Sequence, residues 1–125
     1  MVKQILLVGF GGFIGSIARF FLSKLNINYD VLSIPVGTLS VNVIGSFLIG
    51  FLTGIASKSE ILTLEWRLFL MVGICGGFTT FSTFTNENLV LIHNAQYLTV
   101  LLYTALSIIL GFTAVYLGYI ITNSL

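Results

Sequence analysis

Residues 66–92 read WRLFLMVGICGGFTTFSTFTNENLVLI. A helix needs ~20 mostly apolar residues to cross the hydrocarbon of a bilayer, and this stretch qualifies. Its middle, GGFTTFSTF at 76–84, is not what a plain anchor requires. Gly76 and Gly77 weaken a helix, and Thr79 and Thr80 offer hydroxyls to freed backbone groups. Irregular backbone at membrane depth is tolerated only where it is buried in protein or lines a cavity. Freed carbonyls in such a break can bind a cation. The stretch therefore predicts a third helix broken near Gly76–Thr80. The alternative is a continuous helix that uses its glycines for packing.

Three further segments of similar greasiness flank this one, giving spans of about 4–25, 36–56, 66–92 and 97–122 in a single four-helix transmembrane domain over residues 1–125. The chain is 57% hydrophobic and only 7% charged. A soluble domain would carry about 25% charged residues, so lipid is the solvent for most of this chain. The fold class that follows is an all-α membrane protein. Lys3 ahead of an apolar run resembles a secretory signal, but no small-x-small cleavage pattern follows, and the segment reads as a retained span. A net charge of +1 gives no reason to expect a nucleic-acid partner. The single cysteine, Cys75, excludes an intramolecular disulfide and a thiolate metal set. No pairing of nucleophile and base is visible, so an enzyme is not expected.

Charge hardly sets the orientation. Lys3, Lys58 and Arg67 fall on the side of the N-terminus, with Lys24 opposite and Arg19 inside the first span. The positive-inside rule works on larger differences than this. Near-balance is compatible with insertion both ways, which makes an antiparallel, dual-topology homodimer an expectation. Four thin helices also enclose little on their own, so a sheltered polar pathway calls for a second copy.

Several polar residues lie at membrane depth. Thr38, Asn42, Ser46, Gly50 and Gly54 recur every fourth residue in the second span and share one helix face. Small-xxx-small faces are common packing devices. Asn42 differs, because a side-chain amide needs partners there, and interhelical glue and pathway lining both stay open for it. Arg19 reads either as an interface-seeking arginine, as an anion attractor or as a hydrogen-bond clamp. Phe78, Phe81 and Phe84 recur every third residue, which places neighbouring rings about 60° apart around the helix. Packing is the ordinary fate of such rings. A ring edge is also weakly positive and can attract a small anion without holding it tightly. Tyr103 and Ser107 stand at spacing four in the last span, for packing or as donors beside the rings. Glu87 falls toward the polar edge of the third span, where a vestibule position is expected.

Taken together, GGFIGSIARF at 11–20, GTLSVNVIGSF at 37–47 and GGFTTFSTF at 76–84 resemble the Fluc (CrcB) fluoride channel family along the whole chain. The resemblance implies a passive, fluoride-selective channel of the cell (inner) membrane, with two pores in an antiparallel homodimer, exporting cytoplasmic fluoride. It implies that Asn42, Phe81 and Phe84 lie on the fluoride path, with Ser82, Thr83, Thr85, Tyr103 and Ser107 on a hydroxyl track. It places Arg19 and Glu87 in vestibules. It assigns the backbone carbonyls of Gly76 and Thr79 to a structural sodium ion at the dimer interface. The main rival is a small proton-coupled multidrug exporter, also a four-span dimer. Such exporters rely on a carboxylate deep in the first span, where this chain has only Arg19.

Overall fold

The computed structural model describes residues 1–28, 33–58 and 60–125. The middle of the first link, at 29–32, lies outside them. Helix α1 is Val2–Ser23, extended by a 3₁₀ turn at Lys24–Asn28. Helix α2 is Val36–Lys58. Helix α3 covers 64–78, α4 is Ser82–His93 and α5 is Tyr97–Ser124. Among the described residues there is no strand. Four stretches are long and apolar enough to cross a membrane, with α3 and α4 together forming the third, Leu64–His93. The observed bounds lie within a few residues of those read from the sequence. The chain is a multi-pass, all-helical membrane protein.

Direction follows from the contacts. Along α1 and α3, Gly11 meets the Phe69 carbonyl, and further on Gly15 meets Ile74 and Phe78, so the two helices run parallel. Gly73 and Gly77 answer from the facing helix: a Cβ on Gly73 would lie 2.9 Å from Gly11 Cα, and one on Gly77 2.7 Å from the Gly12 carbonyl oxygen. Absent side chains let two backbones touch, which is how helices gain van der Waals contact in lipid. A second parallel pair joins α2 to α5. Gly50 abuts the Val115 carbonyl and Gly118 abuts that of Phe47. At the far end of this pair, Lys58 Nζ donates to the Thr122 carbonyl at 2.8 Å and to that of Asn123 at 2.7 Å. A cation there satisfies orphan carbonyls and complements the negative end of the helix dipole.

The third span departs from ideal helix twice. Thr63 caps its start, its hydroxyl accepting from the Trp66 N–H at 3.4 Å. Residues Leu68–Cys75 are then wound as a π-helix, an unusually long run of a winding that normally lasts one turn. Gly76–Phe78 return to α geometry, and the helix stops. Thr79 is extended, with φ −80° and ψ 157°. Helix resumes at Ser82. The break therefore lies at 79–81, at the late edge of the range expected from the glycines, which are themselves helical. Thr79 and Thr80, not the glycine pair, carry the irregular backbone. A tight reversal with Ala95 at φ 57° then leads from α4 into α5.

One buried cluster holds Ile34, Leu91 and the fully buried Tyr103, with Leu39, Phe84 and Leu106 packed against them, while Val41, Cys75, Phe78 and Ala114 are buried elsewhere. The cluster sits where α2 and α5 begin and α4 passes. Most large apolar side chains elsewhere are exposed on the single chain.

Candidate functional site

The break is held by one side chain from another helix. Asn42 Nδ2 donates to the Thr80 carbonyl at 3.0 Å, and Asn42 Oδ1 accepts from the Thr80 N–H at 2.8 Å. The amide thereby replaces a main-chain partner for both polar groups of one peptide residue. Asn42 therefore clamps the break. The Thr80 hydroxyl in turn accepts from the Thr83 N–H at 3.2 Å and donates to Thr83 Oγ1 at 3.0 Å, capping α4. Thr79 turns back, its N–H and its hydroxyl both reaching the Cys75 carbonyl, at 3.0 and 2.9 Å.

These diversions free two carbonyls. In a continuous helix the Thr80 N–H would bond the carbonyl of Gly76, and the Thr83 N–H that of Thr79. The first donor goes to Asn42 and the second to the Thr80 hydroxyl. Gly76 and Thr79 are the two residues whose carbonyls the sequence resemblance assigned to sodium. Uncharged oxygens of this kind suit a hard alkali cation, and unwound helix is where membrane proteins present them. Among the described residues no group of His, Cys, Asp or Glu could hold a metal instead.

Two hollows flank the break. A cleft of about 430 Å³ is lined by Asn42, Ser46, Gly76, Thr79, Phe81, Phe84 and Ser107, among others. Phe81 is 76% exposed, while Phe84 is half-buried and packs edge-on to Tyr103 at 4.9 Å between ring centres. The rings of Phe81 and Phe84 are 5.8 Å apart and tilted by 43°. The Ser107 hydroxyl is buried there without a protein partner among the described residues. A smaller hollow of about 260 Å³ lies beyond Thr80, lined by Ser16, Arg19, Thr38 and Thr83. Among the described residues, Arg19 Nε is buried and unpartnered beside it. Thr80 lines both hollows, so the Asn42–Thr80 pair forms the wall between them.

The expected site residues thus divide. Asn42, Phe81, Phe84, Ser107, Gly76 and Thr79 meet at the larger cleft, and Arg19 and Thr83 at the smaller hollow. Ser82 and Thr85 line neither; both are exposed, and the Thr85 hydroxyl bonds back to the Ser82 carbonyl at 2.9 Å. Tyr103 also stands off the cleft. Its hydroxyl donates to Glu87 Oε1 at 2.8 Å. Glu87 Oε2 accepts from Thr38 Oγ1 at 2.9 Å and from Asn26 Nδ2 at 3.1 Å. Hydrogen bonds to a charged group contribute about 1.5–3 kcal/mol each, which offsets part of the cost of a carboxylate in a span. Asn26 was not singled out by the sequence reading. It lies in a link with no motif, and its partner is 61 positions away. Thr80 was seen only as a source of hydroxyl, not as the cap it makes.

Residues 6–119 match the family of CrcB-like proteins, Camphor Resistance (CrcB). Curated relatives cover nearly the full chain. The fluoride-specific ion channel FluC of Azobacteroides pseudotrichonymphae is 44% identical over 123 residues, 98% of each chain. That of Chlorobium phaeobacteroides is 46% identical over 117 residues, 94% of this chain and 90% of its own. That of Leptospira interrogans is 40% identical over 116 residues, 93% and 91% respectively.

Proposed function

This chain belongs to the CrcB family, and from that premise we infer that it is a fluoride-specific ion channel and not an enzyme. The observation that best supports this reading is the convergence of Asn42, Phe81, Phe84 and Ser107 on one cleft at a helix break. Fluoride is compact and strongly hydrated, so each step away from water has to be matched by new partners. A lone hydroxyl at Ser107, the edges of two tilted rings and the polar wall at Asn42–Thr80 are partners of graded, modest strength. Conduction needs binding that is favourable but weak at every station.

The route we propose begins at the smaller hollow. Arg19 concentrates anions there, and the Thr83 hydroxyl begins the exchange of water. The ion then passes the Asn42–Thr80 wall into the larger cleft, along the edges of Phe84 and Phe81 and past Ser107. Transport is passive, driven by the fluoride gradient toward the outside of the inner membrane. Ser82 and Thr85 face outward on a single chain and join the route only if a neighbouring subunit covers them.

We propose that this neighbour is a second copy in antiparallel, dual-topology arrangement, with two pores. The high exposure of Phe81 supports it, since a ring on an ion path has to be covered. The freed carbonyls of Gly76 and Thr79 support it as well. Two oxygens are a partial shell for sodium, and a symmetric partner doubles them. A sodium ion so held would supply structural cohesion at the dimer axis. The multidrug exporter reading finds no support: α1 carries no acid.

The test is efflux from liposomes holding the purified protein and a fluoride gradient, followed by electrode. Rapid fluoride loss that ignores chloride and an imposed proton gradient is the expected result. Absence of fluoride loss, or loss only with a proton gradient, overturns the reading.

A further inference from the structure

Asn26 sits in the 3₁₀ turn that ends the first span, and its side chain is fully committed. Its Nδ2 donates both to Thr38 Oγ1, at 2.9 Å, and to Glu87 Oε2, at 3.1 Å. Its Oδ1 accepts from the Thr38 N–H at 3.1 Å, satisfying an orphan donor in the first turn of α2. The opposite orientation of the amide would set its oxygen against a carboxylate, so chemistry fixes which way it points. Thr38 donates to the same Glu87 oxygen. Asn26, Thr38 and Glu87 close a triangle, and Tyr103 holds the other carboxylate oxygen. Through Tyr103 this assembly leads directly to the Phe84 ring.

We propose that Asn26 is a positioning residue for ion passage. It acts through Glu87, holding that carboxylate against Thr38 and Tyr103 so that its negative charge stays off the ring-edge route at Phe84. Without the two amide donors, the carboxylate loses one of its three partners and Thr38 its fixed orientation. The charge is then able to swing toward the anion path and oppose it. The inference rests on the fluoride-channel reading.

Two roles of Asn26 can be separated because they use different atoms. Asn26→Asp keeps an oxygen for the Thr38 N–H and removes both donors. The variant also sets a second carboxylate beside Glu87; if Asn26 serves only to cap α2, that added charge costs the same with and without the Glu87 carboxylate. If it positions Glu87, fluoride efflux falls roughly tenfold or more while the dimer still elutes at its normal volume. Glu87→Gln then supplies the discriminating background. A glutamine amide donates to Asp at 26, Thr38 reverses its hydroxyl, and the triangle closes with opposite polarity. There the cost of Asn26→Asp should shrink to about threefold or less. Glu87→Gln alone should still pass fluoride, since it removes the charge that Asn26 holds aside; if it passes none, the proposal fails. Efflux at the parent rate in Asn26→Asp, or equal losses of efflux in both backgrounds, overturns the proposal. Failure of the parent protein itself to pass fluoride would instead strike the channel reading.

Discussion

Asn42 and Thr80 hydrogen-bond each other twice, amide to peptide, at 3.0 and 2.8 Å across two different spans. The pair substitutes for a helical turn that the third span lacks. Replacing Asn42 with leucine keeps the volume roughly and removes both bonds. The Thr80 carbonyl is then left without its partner at membrane depth, a cost of about 1–3 kcal/mol. Denaturant titration in detergent should show that loss, and liposome efflux should drop with it. An Asn42→Leu protein of unchanged stability would mean that the break holds without its clamp.

Glycines in α1 are not equivalent in what they face. A Cβ at Gly11 would collide with the Phe69 carbonyl and lie 2.9 Å from Gly73 Cα, both of them backbone, which cannot swing aside. A Cβ at Gly9 meets nothing within 4 Å. Gly11→Ala should therefore force α1 from α3 and sharply reduce the yield of folded protein. Gly9→Ala should be tolerated, with a gain in helix propensity of up to about 1 kcal/mol. A loss at Gly9 as large as that at Gly11, by size-exclusion yield, would point to a second surface packed on that face.

The two rings at the cleft should separate stability from transport. Phe84 packs on Tyr103 in an edge-on pair, an arrangement that contributes about 0.5–1.5 kcal/mol beyond its area. Phe81 meets the Phe84 ring at a tilt and is mostly exposed on the chain. Phe84→Leu should lower both the melting temperature and fluoride efflux. Phe81→Leu should lower efflux while the fold of the subunit stays within about 0.5 kcal/mol. Unchanged efflux in both variants would remove ring edges from the mechanism.

What the sequence made legible follows from range. Hydropathy is a local sum, so four spans could be read directly. The glycine and threonine cluster announced an irregularity but not its place, because a break is located by what receives the freed groups. Here Asn42, 38 residues before Thr80, makes that decision. The π-wound run Leu68–Cys75 has no signature in its residues, which would serve equally well in an α-helix. Glu87 was visible as an acid in a span, yet its partners Asn26, Thr38 and Tyr103 come from three separate elements. Their meeting is a property of the packing.

The freed carbonyls of Gly76 and Thr79 lead to a prediction about salt. Both lost their donors to side chains, Thr80 N–H to Asn42 and Thr83 N–H to the Thr80 hydroxyl. If a sodium ion satisfies them between two subunits, exchanging sodium for choline at constant ionic strength should lower the dimer's thermal midpoint and favour monomer. Thr80→Val tests the cause. It preserves the shape of the side chain but removes the hydroxyl, so the Thr83 N–H can return to the Thr79 carbonyl. One carbonyl of each pair then no longer needs a cation, and the difference between sodium and choline should narrow. Gly76→Ala serves as the steric control, since its new methyl would lie 3.8 Å from the Met71 carbonyl oxygen, in ordinary contact. It should keep the full salt dependence, because the main-chain oxygen is untouched. Parent protein that melts at one temperature in both salts would rule out the cation.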